Sequence, residues 1–141
     1  MARAITPLLE AGQRVPRIKD LARLAGKVAK AEGLAGRINL IFCDDSTIRS
    51  LNREYRGLDK VTDVLSFFWG EPEIAGEIFI APNKAKSQCK MFNNSYFNEL
   101  RRLVVHGVLH LSGFDHLKPK ERKIMRERED FHLVLAKSNK K

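Results

Sequence analysis

Apolar residues recur at three- and four-residue steps near the start of the chain: Ile18, Leu21, Ala22, Ala25, Val28 and Ala29. That period predicts a helix over residues 15–33, with Pro16 in its first turn and Gly33 at its end. RINLIFC, residues 37–43, is a short β-branched run and predicts a strand. Asp45 or Ser46 can cap the next helix, which puts Ile48, Leu51 and Tyr55 on one face and ends at Gly57. DVLSFF, residues 63–68, and IAGEIFIA, residues 74–81, read as two strands paired across the turn WGEPE. Pro82 can open a short helix to about Met91. Ser95, with Glu99 nearby, opens a long one whose apolar stripe is Phe97, Leu100, Val104, Val108 and Leu111, with Gly113 as its stop. A last helix runs from Pro119 to about Lys137, with Ile124, Met125, Phe131 and Leu135 as its apolar face and a frayed basic tail, KSNKK, after it. The pattern predicts an α/β (α+β) domain, a small mixed sheet of three to four strands packed with about five helices.

Composition narrows the class. A chain of 141 residues, 43% hydrophobic and 30% charged, suits one globular domain with a single core. No apolar run is long enough to span a membrane, and the N-terminal stretch lacks the apolar segment and cleavage site of a signal peptide. The expected location is the cytoplasm. Cys43 and Cys89 are too few for a disulfide framework or a four-cysteine zinc site, and they read as small buried hydrophobes. Lys and Arg number 26 against 17 acids, a formal charge of +9. Such an excess suits an acidic partner, nucleic acid ahead of a membrane surface, although it also serves plain solubility.

The candidate chemistry is concentrated in HGVLHLSGFDH, residues 106–116, which holds three of the four histidines. His106 and His110 lie one helical turn apart and so share a face. Gly113 lets the chain leave the helix and return His116 to the same point. Three neutral imidazoles fit a catalytic zinc site whose fourth position stays open, and a zinc-bound water can ionise near neutral pH. The spacing H-x-x-x-H-x-x-G-x-x-H matches that of the metzincin proteases except directly after the first His. Those enzymes carry a general-base Glu there, and this chain has Gly107. The pattern therefore keeps the metal and loses the proton shuttle of a peptidase. Asp115 can orient a ligand or move protons, or it can be a turn residue. The fourth histidine, His132, reads as an ordinary surface or packed residue.

A second polar constellation lies upstream. LNREYRGLDKVTDVLSF, residues 51–67, places Arg53, Arg56, Asp59, Lys60, Thr62, Asp63 and Ser66 around a helix end and a strand start. Such a stretch lines a site or is a capped helix with a solvated loop, and alone it does not decide between them. Together the two stretches resemble the YbeY family of bacterial rRNA-maturation endoribonucleases. Asn52, Tyr55, Arg56, Asp59 and Thr62 through Phe67 follow one family pattern, and His106 to His116 follow the other in full. The resemblance spans roughly residues 37–130. It implies a zinc ion, one per chain, held by His106, His110 and His116, and a catalytic Arg at Arg56. It also implies a single-strand-specific endoribonuclease acting in rRNA maturation and ribosome quality control, with single-stranded RNA, rRNA and ribosomal particles as partners and no membrane.

The chain departs from the family at a few places. Val61 replaces a usual Pro, Phe68 and Trp69 stand where another Pro follows, and Gly76, Glu77 and Ile78 replace Gly-Asp-Ile. The N-terminal region is short, so a first family strand is expected to be abbreviated or missing. Two other functions compete. A metal-dependent hydrolase on a peptide or ester is disfavoured by Gly107 and by the basic charge. A ribosome-assembly factor with a structural zinc would need a fourth ligand, for which Asp115 is a candidate.

Overall fold

A computed structural model describes residues 5–71, 73–91 and 93–138, the side chains of 135–138 apart. The chain order is β1 (Ile5–Leu9), α1 (Ile18–Ala31), β2 (Arg37–Phe42), α2 (Asp45–Arg56), β3 (Val64–Phe68), β4 (Ile74–Ile80), α3 (Pro82–Cys89), α4 (Tyr96–Leu111) and α5 (Pro119–Ser138). The strands form one sheet in the order β1-β2-β4-β3. β1 pairs parallel with β2 and β2 parallel with β4, while β3 closes the far edge antiparallel to β4.

The period of two along the central strands sends alternate residues to opposite faces. Ile38, Leu40, Ile78 and Ile80 turn toward α1 and α4 and are fully buried there with Leu21, Val28, Leu100 and Val104. The other face is covered by α2, where Ile48 meets Leu65 and Ala81, flanked by Phe67 and Phe79. The edge strand β3 is thus held between α2 on one side and α4 on the other. Ser66, pointing to the α4 side, donates its hydroxyl to the carbonyl of Gly107 at 3.1 Å.

Several local expectations shift. The first strand is present as β1, and its pairing with β2 runs from Ile5 opposite Ile38 to Leu9 opposite Phe42. Its five residues are tied down by a neighbour distant in sequence, which no local pattern reports. Helix α1 begins at Ile18 because Arg17 sits in the left-handed region at φ 52°, which leaves Pro16 outside the helix. Asp44, ahead of the expected caps, takes the N-terminus of α2, its carboxylate accepting the Thr47 amide at 2.8 Å. Tyr55 is largely exposed, and Asn52 instead joins Ile48 in the buried face. On α5 the inward residues are Met125 and His132, while Ile124 and Phe131 stay about half exposed. A polar partner decides this: His132 reaches Glu32 at the end of α1 at 2.6 Å, and that carboxylate also accepts from Arg128. Leu135 has no described side chain. Helix α5 continues through Ser138, and the rest of the expected frayed tail lies outside the described residues.

The departures at the tip of β3 and β4 belong together. The indole N–H of Trp69 donates to Oε1 of Glu77 at 3.3 Å, and Glu77 also accepts from Asn39 at 3.3 Å. Cys43 and Cys89 are both buried and unpaired, as expected of small hydrophobes.

Candidate metal centre

Helix α4 is started by Ser95, whose hydroxyl accepts the Asn98 amide at 3.0 Å, and it runs sixteen residues along β3 and β4. Its close approach depends on Gly107. A Cβ there would lie 2.7 Å from Cγ2 of Ile78, which is itself fully buried. The position that a metzincin uses for its general base is therefore turned into the core. With that side of α4 against the sheet, His106 and His110 are only partly buried, at the edge of the packed surface.

The chain then leaves the helix sharply. Gly113 adopts φ 103°, a conformation that suits glycine, and its amide returns to the carbonyl of His110 at 3.1 Å. Phe114 closes the turn with a 3.0 Å bond to the carbonyl of Leu109. The carboxylate of Asp115 accepts the backbone N–H of His116 at 2.7 Å, so Asp115 orders the turn. The three rings end with centroids 5.0 to 5.3 Å apart. One ring nitrogen from each lies within 4.8 Å of the others, and among the described residues no further His, Cys or carboxylate joins the group.

The donor set fits a metal ion. Three imidazoles converge, and Nδ1 of His106 is bonded at 2.6 Å to Glu129 of α5. A carboxylate acceptor there makes Nδ1 the donor and leaves Nε2 as the ligand nitrogen, a common outer arrangement at metal-binding histidines. Burial, then the neighbouring His106 and His116 rings, push the pKa of His110 down to about 4; Asp115 opposes the shift and Arg56 adds to it. His110 is therefore neutral at physiological pH, the form that ligates.

The second polar stretch is brought to the same place. A cavity of about 390 Å³ is lined by Arg56, Lys60, Asp63 and Arg102 together with His106 and His116. Arg56 is the last residue of α2, and Gly57 at φ 72° caps the helix and releases the chain into the loop. Asn52 pins that loop by donating to the carbonyl of Lys60 at 3.0 Å. Asp59 stays outside, in an exposed pair with Arg49 at 2.9 Å and near Arg53 at 3.9 Å. Among the described residues Arg56 makes no ion pair, so its guanidinium is uncommitted. Ser66 serves the helix contact and Thr62 lines the cavity.

Two participants were not singled out from the sequence. Arg102 lies four residues before His106, so the helical period that paired His106 with His110 also marks Arg102. Its guanidinium forks onto Glu99 at 3.1 and 2.7 Å. Glu99 is fully buried, yet burial is outweighed by its bonds from Arg102, Gln88 and Asn94, which hold its carboxyl below the usual range. Glu129 had no such signal, because its place depends on how α5 packs across α4.

Fold and centre together define an α/β protein with a three-histidine cluster, of a geometry that could hold a metal ion, beside a basic cavity. Residues 11–136 match the model of the family described as endoribonuclease YbeY, and the chain belongs to that family. It is 44% identical over 121 residues to the endoribonuclease YbeY of Pelotomaculum thermopropionicum, covering 78% of this chain and 80% of that protein. The Lysinibacillus sphaericus endoribonuclease YbeY is 37% identical, with 85% of this chain and 84% of that protein aligned. The solution structure of TM1509 from Thermotoga maritima superposes with a TM-score of 0.69 at 32% identity, over 94% of this chain and 88% of that one.

Proposed function

We propose that the chain is a zinc-dependent, single-strand-specific endoribonuclease that acts on rRNA in ribosomal particles, in ribosome maturation and quality control. The observation that carries this reading is the grouping of His106, His110 and His116, two of which, His106 and His116, line one basic cavity with Arg56. Three imidazoles with no fourth protein ligand among the described residues suit zinc in a catalytic rather than a closed structural role. When bound, such an ion supplies Lewis acidity toward a phosphoryl oxygen and acidifies water.

The chain's own residues supply the rest. Arg56 presents a planar fork that matches two non-bridging oxygens of the scissile phosphate and stabilises the charge that builds there. Glu129 fixes the ring of His106. The charge of +9 draws the phosphate backbone toward the cavity. A peptidase reading loses ground, since position 107 faces Ile78 rather than the centre. Among the described residues no helix is long and apolar enough to cross a membrane. A ribosomal substrate places the work in the cytoplasm.

The test is cleavage of an end-labelled RNA stem-loop by metal-analysed protein, with and without a chelator. The loop is cut, the stem is spared and the chelator abolishes cutting. Equal cutting of stem and loop contradicts the strand preference, and chelator-insensitive cutting contradicts the role of the metal.

A further inference from the structure

The histidine centre has a second basic flank. On the side of α5, a cavity of about 230 Å³ is lined by His106, His116 and Glu129 together with Arg102, Arg122 and Arg126. Arg122, Arg126 and Glu129 follow one another at helical steps of four and three, so they share one face of α5. Their neighbour Arg128 is used by the fold, bonded to Glu32. Arg122 and Arg126 are not. Both are exposed and neither has an ion-pair partner among the described residues. Among the described residues the Arg122 guanidinium donates to the carbonyl of Leu117 at 3.3 Å. The carboxylate that lines this cavity among the described residues, Glu129, is already committed to His106.

Arg102 links the two flanks, since it lines both cavities. Its Nε and Nη2 are held by the buried Glu99, which fixes the plane of the guanidinium. Like charges gathered beside one another repel, and a fold gains nothing from leaving them unpaired in a concavity. An anion with several acceptor oxygens removes that cost and matches the forked donors of arginine. A single strand of RNA offers such groups in series.

Resting on the endoribonuclease reading above, we propose that Arg122 and Arg126, with Arg102, form a second phosphate subsite. It takes a backbone phosphate of the RNA strand next to the one at Arg56, so that the strand is held on both sides of the histidine centre.

The test is binding of metal-loaded protein to a labelled single-stranded 2′-O-methyl RNA, checked to remain intact, across a salt series. The variant is Arg122→Gln/Arg126→Gln. The control is Lys19→Gln/Lys27→Gln, which removes equal charge from exposed positions of α1. Each phosphate contact on a single strand contributes about 0.7 to the slope of log affinity against log salt. The α5 variant should therefore flatten the slope by about 0.7, and its shortfall against wild type should shrink by about 2.5-fold between roughly 50 and 200 mM salt. The control should keep the wild-type slope, and all three proteins should melt alike. An unchanged slope in the α5 variant, or an equal change in the control, overturns the subsite. Cutting of unmodified RNA by wild-type protein is scored in parallel. Cutting together with an unchanged slope rejects the subsite alone, whereas absence of both cutting and binding rejects the endoribonuclease reading and the subsite with it.

Discussion

Glu129 on α5 holds Nδ1 of His106 on α4 at 2.6 Å, across twenty-three residues of sequence. The bond sets the tautomer of the first histidine and ties the last helix to the histidine cluster. Losing an outer-shell carboxylate of this kind lowers metal affinity by roughly 10- to 100-fold. Glu129→Gln should show that loss in a chelator competition while His110 and His116 still bind. Unaltered affinity would make Glu129 a packing residue only.

Gly107 carries a different expectation. Helix propensity alone would favour Gly107→Ala by about 1 kcal/mol. The contact of 2.7 Å with Ile78 acts against it, and a fully buried Ile78 has little room to move. Overpacking of this kind costs about 1–3 kcal/mol, so the net effect should be a melting temperature lowered by several degrees. Ile78→Ala removes the clashing Cγ2, so its cost should be smaller in the Gly107→Ala chain than in wild type. Gly107→Glu should give no chelator-sensitive proteolysis of an unstructured casein-like substrate, because a side chain there points into the core. A rise in melting temperature for Gly107→Ala would contradict the packing argument.

Arg56 is predicted to act on the transition state. Arg56→Lys keeps the charge and loses the fork, and should slow single-turnover RNA cleavage by about a hundredfold to a thousandfold with metal content unchanged. A rate within a few-fold of wild type would reduce Arg56 to a surface cation.

Glu32 gives a pH-dependent expectation away from the centre. Burial raises its carboxyl pKa, but the bonds from His132 and Arg128 and their charge outweigh burial, and the net shift is downward. A carboxyl depressed by folding stabilises the protein above its unfolded pKa, and that contribution fades as pH falls through the folded value. Glu32→Gln should cost about 1–2 kcal/mol at neutral pH, and the gap to wild type should narrow as pH falls through and below the ordinary carboxyl range. A gap that is constant down to pH 3 would contradict this.

The elements that were legible in the sequence are those with a strong local period. The stripe of α4, the Gly113 exit and the three histidines could all be read directly, because helical spacing and a glycine turn fix where such side chains point. His106 and His116 of the histidine grouping share a cavity with Arg56, yet that joining is a tertiary fact that only the family resemblance anticipated. Strand β1 escaped because its order comes from pairing with β2. The face of α5 was misread because hydrophobicity favoured Ile124 and Phe131, whereas the partners in space are Glu32 for His132 and His106 for Glu129. Arg102 was within reach, four residues before His106, but a search confined to metal ligands passes over an arginine.

The most direct test of the central claim is elemental analysis of the purified chain and of His106→Ala, His110→Ala and His116→Ala, paired with RNA cleavage by the same samples. The account predicts about one zinc per wild-type chain, a sharp loss of metal in each variant, and loss of cleavage in step with it. Metal retained in all three variants, or cleavage that survives its loss, would contradict it.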